Sequence, residues 1–344
     1  MPVVPNGRVL FKEIPNGYPI PGKTTAYDET QTIDTDNVPL EGGFLVKILV
    51  ISVDPYLRAK MRDPRIKMFT EAFIIGESLY NWAVGVVIRS EYEGVKVGDY
   101  INGTLPFQHY AIFKDMNELE ILDNTEKLPL SLYVGVAGMP GRSSYYGWKE
   151  FSSAKKGDTI FVSGGAGPVG SMVIQFAKAE GLRIIASAGS DDKIKFIKSL
   201  GADVVFNYKI TKTADILKKE GPIDIYWDNV GGETLEAALD NASMGARFIE
   251  CGMISGYNES QYPIHNLFRI IACQLKLFGF LNTDPYLHEK YDDNFRQEIP
   301  KLLANGELQY TEHFTYGLEN APKALLDVQV GNNLGKSVIV VAEE

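Results

Sequence analysis

Six residues from Gly165 to Gly170 have the types and spacing that could hold a phosphate. They are Gly165-Ala166-Gly167-Pro168-Val169-Gly170, which matches the pattern G-x-G-x-x-G. In such a loop the first glycine permits a tight turn and the second lets the backbone approach a pyrophosphate. The third lets a helix pack closely on a strand. A glycine turn that merely joins two elements is the alternative, so the flanking residues decide.

The flanking residues favour a dinucleotide. The apolar, β-branched run 159–163 predicts a strand, and residues 171–181 carry apolar positions at helical spacing. A strand before the glycines and a helix after them form the context in which this pattern indicates dinucleotide binding. The open N–H groups and the positive dipole end of that helix would then bind the pyrophosphate.

The end of the next predicted strand indicates which dinucleotide is bound. NAD sites usually carry an acidic residue about 20 residues further on, but residues 188–190 are Ala-Gly-Ser. Asp191 and Asp192 follow where a helix begins, so N-capping is their simplest role. A lysine in that first turn, Lys193, is unfavourable unless an anion is near, and Tyr208 after the next strand can add a hydroxyl. These residues predict NADP(H), with a solvated lysine as the alternative.

The cysteines and histidines do not have the spacing of a metal site. The chain has two cysteines, Cys251 and Cys273, and four scattered histidines. We therefore predict no bound metal. A nicotinamide enzyme without a metal needs a hydrogen-bond donor for the charge that develops on the substrate oxygen.

Two tyrosines lie where such a donor would be useful. Tyr56 follows the first strong predicted strand, and Tyr257 follows a strand of the region that begins at residue 159. Ligands of parallel α/β sheets gather at the carboxyl ends of strands, which favours Tyr257. A packed aromatic ring with a satisfied hydroxyl is the alternative for each tyrosine.

The elements that must position these residues form two kinds of structure. Before about residue 128 the chain resembles short strands separated by Gly and Asp turns. From residue 159, β-branched runs alternate with helical patterns, which predicts βαβ units and a doubly wound parallel sheet. The apolar run 338–341 predicts a last strand that returns to the first domain. The fold class is therefore α/β, with one domain inserted in the other.

Composition limits the partners and the compartment. The chain has 344 residues and a formal net charge of −10, which argues against a broad nucleic-acid or anionic-membrane surface. It shows no secretory signal pattern and no apolar run of about 18 residues. We expect a cytoplasmic protein that acts on a small molecule.

Several motifs together resemble one family. They are DPYLR (54–58), GMPGRSSYYGW (138–148), GGAGPVG (164–170), GADVVFNYK (201–209), DNVGGE (228–233), CGMISGYN (251–258), FGF (278–280) and GNNLGK (331–336). Their order and identity resemble the zinc-independent medium-chain dehydrogenase/reductases. More narrowly, they are similar to the NADPH-dependent alkenal/enone double-bond reductases, which include plant double-bond reductases and mammalian prostaglandin reductases.

The resemblance implies a fold and a reaction. A GroES-like, mostly β catalytic domain (1–128 and 302–344) would hold a Rossmann NADP(H)-binding domain (129–301), in a chain that forms homodimers. Hydride from NADPH would reach the β-carbon of an α,β-unsaturated aldehyde or ketone. Tyr257 would hydrogen-bond or protonate the resulting enolate, and Tyr56 would line the pocket. The residues implied for the cofactor are Gly165, Ala166, Gly167, Pro168, Val169 and Gly170 at the pyrophosphate; Lys193 and Tyr208 at the 2′-phosphate; and Ser190, Asn229, Cys251, Tyr257, Phe278, Phe280 and Asn333 elsewhere.

Two other functions fit the same residues. A quinone reductase of the zeta-crystallin type would share the fold and the cofactor. A non-catalytic NADPH-binding protein would share the glycine loop, because binding and turnover need the same loop.

Overall fold

Strands and helices alternate in the middle of the chain, whereas its N-terminal part is mostly β. The computed structural model describes residues 3–343. The strands in chain order are β1 Val4–Pro5, β2 Arg8–Phe11, β3 Thr25–Asp28, β4 Thr32–Ile33, β5 Phe44–Val53, β6 Tyr80–Ser90, β7 Tyr100–Pro106, β8 Tyr110–Phe113, β9 Leu119–Ile121, β10 Thr159–Val162, β11 Arg183–Ala188, β12 Val204–Asn207, β13 Ile223–Asp228, β14 Ala242–Glu250, β15 Lys276–Gly279, β16 Glu312–Tyr316 and β17 Lys336–Val340. The α-helices are α1 Leu57–Lys60, α2 Met139–Phe151, α3 Pro168–Ala179, α4 Asp191–Ser199, α5 Thr213–Glu220, α6 Gly232–Asp240, α7 Arg269–Ala272, α8 Pro285–Ala304 and α9 Ala321–Val330. Short 3₁₀ helices cover Leu130–Val134, Ile254–Gly256 and Leu318–Asn320.

The predicted parallel sheet is present. Its strands lie in the order β12-β11-β10-β13-β14-β15, and every neighbouring pair is parallel. Alternate residues of β10 enter different apolar clusters: Ile160 and Val162 lie in one and Phe161 in the other. Helices thus cover both faces, which is why these strands are apolar throughout.

The mostly β part forms an antiparallel sheet. Its strands lie in the order β16-β17-β5-β6-β7-β9, and β8 pairs with β5. Strand β5 is central and almost completely buried, with Phe44 and Ile51 in the apolar cluster that fills this part. The predicted return of the last strand is confirmed, because Ser337–Val340 pairs with Val50–Val53.

The contacts divide the chain into two units. The first comprises Met1–Gly135, Glu312–Asn333 and Ser337–Glu344, and the second comprises Val136–Thr311 and Leu334–Lys336. The predicted α/β fold class, with a parallel sheet in one unit and a mostly β sheet in the other, is confirmed. Among residues 3–343 no helix has both the length and the apolarity needed to cross a membrane.

Candidate functional site

The predicted cofactor residues gather at one edge of the parallel sheet. Because the strands are parallel, their carboxyl ends lie at the same edge, where ligands of open α/β sheets bind. The glycine loop follows β10, Ser190 follows β11, and Tyr208 follows β12. Asn229 follows β13, and Cys251 follows β14. The second unit therefore brings most of the predicted set together along this edge.

The glycine loop is built to approach an anion. A Cβ at Gly170 would lie 2.7 Å from the carbonyl oxygen of Gly164 and 2.8 Å from the Cα of Gly165, so only glycine fits there without a backbone shift. A Cβ at Gly167 would meet nothing nearer than 3.7 Å, which leaves this side of the loop open. Helix α3 begins at Pro168 without a side-chain cap. Its first N–H groups are thus available to a ligand.

The start of α4 corrects one prediction. Ser190 is the N-cap, and its Oγ accepts a hydrogen bond from the Lys193 N–H at 3.4 Å. The N-capping role predicted for Asp191 and Asp192 is therefore wrong; both lie in the exposed first turn. Strand β11 ends at Ala188 and helix α4 already begins at Asp191, so both aspartates lie inside the helix. The residue before it, Ser190, has an extended backbone and is the N-cap.

Lys193 and Tyr208 lie on neighbouring segments, after β11 and β12. A Cβ at Gly189 would lie 2.8 Å from the Tyr208 hydroxyl, so the tyrosine passes directly over the residue before Ser190. Lys193 is partly buried, and burial lowers the pKa of its ammonium group. The positive charge of Lys209 lowers this pKa further. The edge therefore presents two like charges and a hydroxyl close together, an arrangement that favours a bound anion.

Lys209 is a residue that the sequence analysis missed. It follows Tyr208 in the same turn, where its N–H donates to Asn207 Oδ1 at 3.0 Å. Its approach to Lys193 depends on the pairing of β11 with β12, which joins Ala188 to Asn207. The only signal in the sequence is that this second lysine directly follows Tyr208.

Asn229 links two loops of the edge. Its N–H donates to Ser163 Oγ at 2.9 Å, and its Nδ2 donates to the Ser163 carbonyl oxygen at 2.7 Å. Its Oδ1 accepts from Trp227 Nε1 at 3.3 Å. The amide oxygen is therefore occupied, and the side chain fixes the turn after β13 against the start of the glycine loop.

Tyr257 carries a hydroxyl whose proton is not used within the protein. Its Oη accepts a long hydrogen bond of 3.4 Å from the Met253 N–H, and no side chain or carbonyl in residues 3–343 accepts from it. Burial raises the pKa of Tyr257, and the neighbouring Cys251 and Asp228 raise it further. The residue is therefore a neutral phenol at neutral pH, available to donate to a ligand.

Cys251 lies at the start of the same segment. Burial, together with Asp228 and Glu250, raises the pKa of its thiol to about 12. The side chain thus stays a thiol at neutral pH and is a poor nucleophile.

The hydroxyl of Tyr56 is, in contrast, committed to a protein partner. In the first unit it donates to Asn81 Oδ1, while Asn81 Nδ2 donates to Asp54 Oδ2 at 2.9 Å and to the Ser52 carbonyl oxygen at 2.8 Å. Ser52 Oγ completes the network by donating to Asp54 Oδ2. Burial, with the charge of Asp54, raises the pKa of Tyr56 well above its ordinary value. This tyrosine orients its loop and has no spare proton.

The remaining predicted residues lie elsewhere. Phe278, within β15, and Phe280, just after it, pack on Phe151, with ring centroids 5.1 and 5.5 Å away. Phe280 also meets Trp227 edge-on at 6.1 Å, so both rings fill space between α2 and the sheet. Asn333 belongs to the first unit.

Two family models match most of the chain. A model described as N-terminal domain of oxidoreductase matches residues 8–121, and one described as Zinc-binding dehydrogenase matches residues 168–302. The 2-alkenal reductase (NADP(+)-dependent) of Nicotiana tabacum is 38% identical over 99% of this chain and 99% of its own length. The chain belongs to the medium-chain dehydrogenase/reductase family.

Other members of this family are similar over almost as much of the chain. The (+)-pulegone reductase of Mentha piperita is 38% identical over 88% of this chain and 89% of its own length. The crystal structure of CurA from Vibrio vulnificus in complex with NADPH superposes with a TM-score of 0.89 at 32% identity, and the match covers 98% of this chain and all of that one. NADP(H), predicted above for this chain, is thus the cofactor of two of these relatives.

One family description names zinc, but the residues do not fit it. Among residues 3–343 no group of three or more His, Cys, Asp or Glu side chains lies close enough together to hold a metal ion.

Proposed function

We propose that this medium-chain dehydrogenase/reductase uses NADPH to reduce the C=C bond of α,β-unsaturated aldehydes and ketones. The proposal rests on the unused hydroxyl proton of Tyr257 at the carboxyl edge of the sheet. The similarity of the whole chain to a 2-alkenal reductase supports the same substrate class.

The chain's own residues fit the cofactor. The open helix start at Pro168 and the glycine at 167 would hold the pyrophosphate. Lys193, Lys209 and the Tyr208 hydroxyl would hold a 2′-phosphate, whose charge relieves the repulsion between the two lysines. When bound, NADPH supplies the hydride.

Tyr257 would act on the substrate oxygen. Addition of a hydride to the β-carbon moves the electron pair of the C=C bond towards the carbonyl oxygen and leaves an enolate. A neutral phenol that donates a hydrogen bond to that oxygen stabilises the charge as it develops. A proton from water then adds to the α-carbon of the enolate, which gives the saturated carbonyl compound and leaves hydroxide to the solvent. Tyr56 cannot replace Tyr257 in this role, because its proton is bound to Asn81.

Substrate specificity tests the proposal. The purified chain would be given NADPH with a 2-alkenal, with the saturated aldehyde of the same length and with a benzoquinone. We expect NADPH oxidation with the 2-alkenal and little with the saturated aldehyde. Faster turnover of the quinone would favour a quinone reductase, and no oxidation with any compound would favour a non-catalytic NADPH-binding protein.

We also propose that two copies pair through β15. This strand ends the order of the parallel sheet as residues 3–343 define it, and Leu277 within it is 38% exposed. Phe268 and Ile271, on the segment just before, are both 73% exposed. An apolar edge strand with open N–H and C=O groups is a template for pairing with a second chain. Sedimentation of a Leu277→Lys variant should show a monomer where the unmodified chain sediments as a dimer; a monomer in both would contradict the pairing.

A further inference from the structure

Two carboxyl side chains lie on neighbouring strands at the carboxyl edge of the parallel sheet. Asp228 ends β13 and Glu250 ends β14, and the two residues are paired in register. Asp228 is fully buried. Its Oδ1 accepts four hydrogen bonds, from Tyr226 Oη at 2.7 Å, Ser163 Oγ at 3.1 Å, the Val230 N–H at 2.7 Å and the Gly231 N–H at 2.8 Å. Burial raises the pKa of Asp228, whereas the donors lower it again by stabilising the charged form. Because these donors are on Asp228, we take Asp228 as the ionised member of the pair.

The other oxygens of the pair have no donor. Asp228 Oδ2 and both carboxyl oxygens of Glu250 are buried, and no donor in residues 3–343 reaches them. Two buried carboxylates side by side would repel each other strongly, and burial would penalise both charges. Burial and the charge of Asp228 raise the pKa of Glu250 accordingly. A single proton on Glu250, donated to Asp228 Oδ2, gives both groups a partner.

Asp228 connects three loops of the edge. Its side chain fixes the turn that starts α6 and also holds Ser163, at the start of the glycine loop. Its carbonyl oxygen accepts from the N–H groups of Cys251 and Gly252, each at 3.0 Å. The segments that carry the glycine loop, Asn229 and Tyr257 therefore meet at this one residue.

We propose that Glu250, in its protonated form, is a positioning residue for the cofactor site. It donates to Asp228 and thereby holds the three loops in the arrangement that binds NADPH; this inference rests on the proposed function above. Removal of the proton places a second charge beside Asp228, pushes the two strand ends apart and lowers the fraction of molecules able to bind NADPH.

The groups that face the pair do not titrate before it. They are the Tyr226 hydroxyl on β13, the Cys251 thiol after β14 and the Tyr257 hydroxyl on the segment that follows. Burial raises the pKa of each one, in addition to values that already lie above that of a carboxyl group. As the pH rises, the shared proton of the pair is thus lost first.

The test is the pH dependence of NADPH binding without substrate, measured from the fluorescence of the bound cofactor. For the unmodified chain we expect the apparent Kd to rise once the pair loses its proton, at up to about tenfold per pH unit. Glu250→Gln keeps a donor to Asp228 and cannot ionise. Its Kd for NADPH should therefore equal that of the unmodified chain at neutral pH and rise less as the pH increases further. Lys193 is present in both proteins, so its own titration cancels in the comparison.

A truncation and a matched control complete the experiment. Glu250→Ala leaves Asp228 Oδ2 without a donor, and we expect NADPH to bind about tenfold more weakly at every pH. Glu298→Gln removes a carboxylate of the same unit that accepts from Tyr145, away from the edge, and should change neither Kd nor its pH profile. A Gln variant with the same pH profile as the unmodified chain would overturn the inference. Failure of the unmodified chain to bind NADPH at any pH would instead refute the proposed function.

Thermal unfolding gives an independent reading. The folded-state pKa of Glu250 lies above its unfolded value, so the folded state binds the extra proton. The stability of the unmodified chain should therefore fall, relative to Glu250→Gln, as the pH rises between about 5 and about 9. A difference in melting temperature between the two proteins that stays the same at every pH would contradict the shared proton.

Discussion

Replacement of Tyr257 by phenylalanine removes one hydroxyl and almost nothing else. The only protein hydrogen bond of this hydroxyl in residues 3–343 comes from the Met253 N–H at 3.4 Å, a long distance for such a bond. Met253 is 41% exposed, so water can replace the lost acceptor. We expect a loss of less than about 1 kcal/mol in the free energy of unfolding. The loss of an oxyanion donor should lower kcat by about 10² to 10³, or about 2.7–4 kcal/mol of transition-state stabilisation.

The assay is NADPH oxidation with a 2-alkenal, followed through the absorbance of the reduced nicotinamide, together with the melting temperature. Tyr262→Phe is the matched control, because this tyrosine lies in the same segment, is 40% exposed and donates to Glu236. It should keep its rate. Since the pKa of Tyr257 is raised, kcat should also show no titration of this group near neutral pH. A Tyr257→Phe variant that keeps its full rate would refute the donor role.

Three further experiments test the site. Lys193→Ala should weaken the binding of NADPH by about 10- to 100-fold, through loss of a charged hydrogen bond, and leave the binding of NADH unchanged. Lys195 is exposed on the same helix, and Lys195→Ala should alter neither Kd. Equal losses of affinity for both cofactors would reject the 2′-phosphate assignment. Gly170→Ala should lower the melting temperature, because the new Cβ would lie 2.7 Å from a backbone oxygen. Gly167→Ala should keep the melting temperature and still weaken the binding of NADPH. Calorimetry and a binding measurement together separate the two effects. Cys251, with its pKa raised to about 12, should resist alkylation by a 2-alkenal at neutral pH, and a rapid single adduct on it in the intact mass would contradict this.

The sequence predicts the sheet and the loop because their signals are local. The glycines at 165, 167 and 170 lie between a β-branched run and a helical pattern, and no distant contact is needed to interpret them. The order of strands along the chain then places Ser190, Tyr208, Asn229 and Cys251 at one edge of a parallel sheet. The roles of these residues, and the domain boundaries at 128/129 and 301/302, stay predictions.

Contacts between distant segments could not be predicted. The approach of Lys209 to Lys193 and the pairing of Asp228 with Glu250 both depend on which strands are neighbours and in what register. The difference between the two tyrosines has the same origin. The Tyr56 hydroxyl donates its hydrogen bond to Asn81, 25 residues further on, and so has none left for a ligand. Nothing in the sequence separates Tyr56 from Tyr257 in this respect.

The position of the transferred hydride tests the central proposal most directly. The purified chain would be supplied with a 2-alkenal and, in separate reactions, each of the two forms of NADPH deuterated at nicotinamide C4. We predict that one form gives the saturated aldehyde with deuterium on the β-carbon. Deuterium on the carbonyl carbon of an unsaturated alcohol would contradict C=C reduction, as would the absence of any deuterated product from either form.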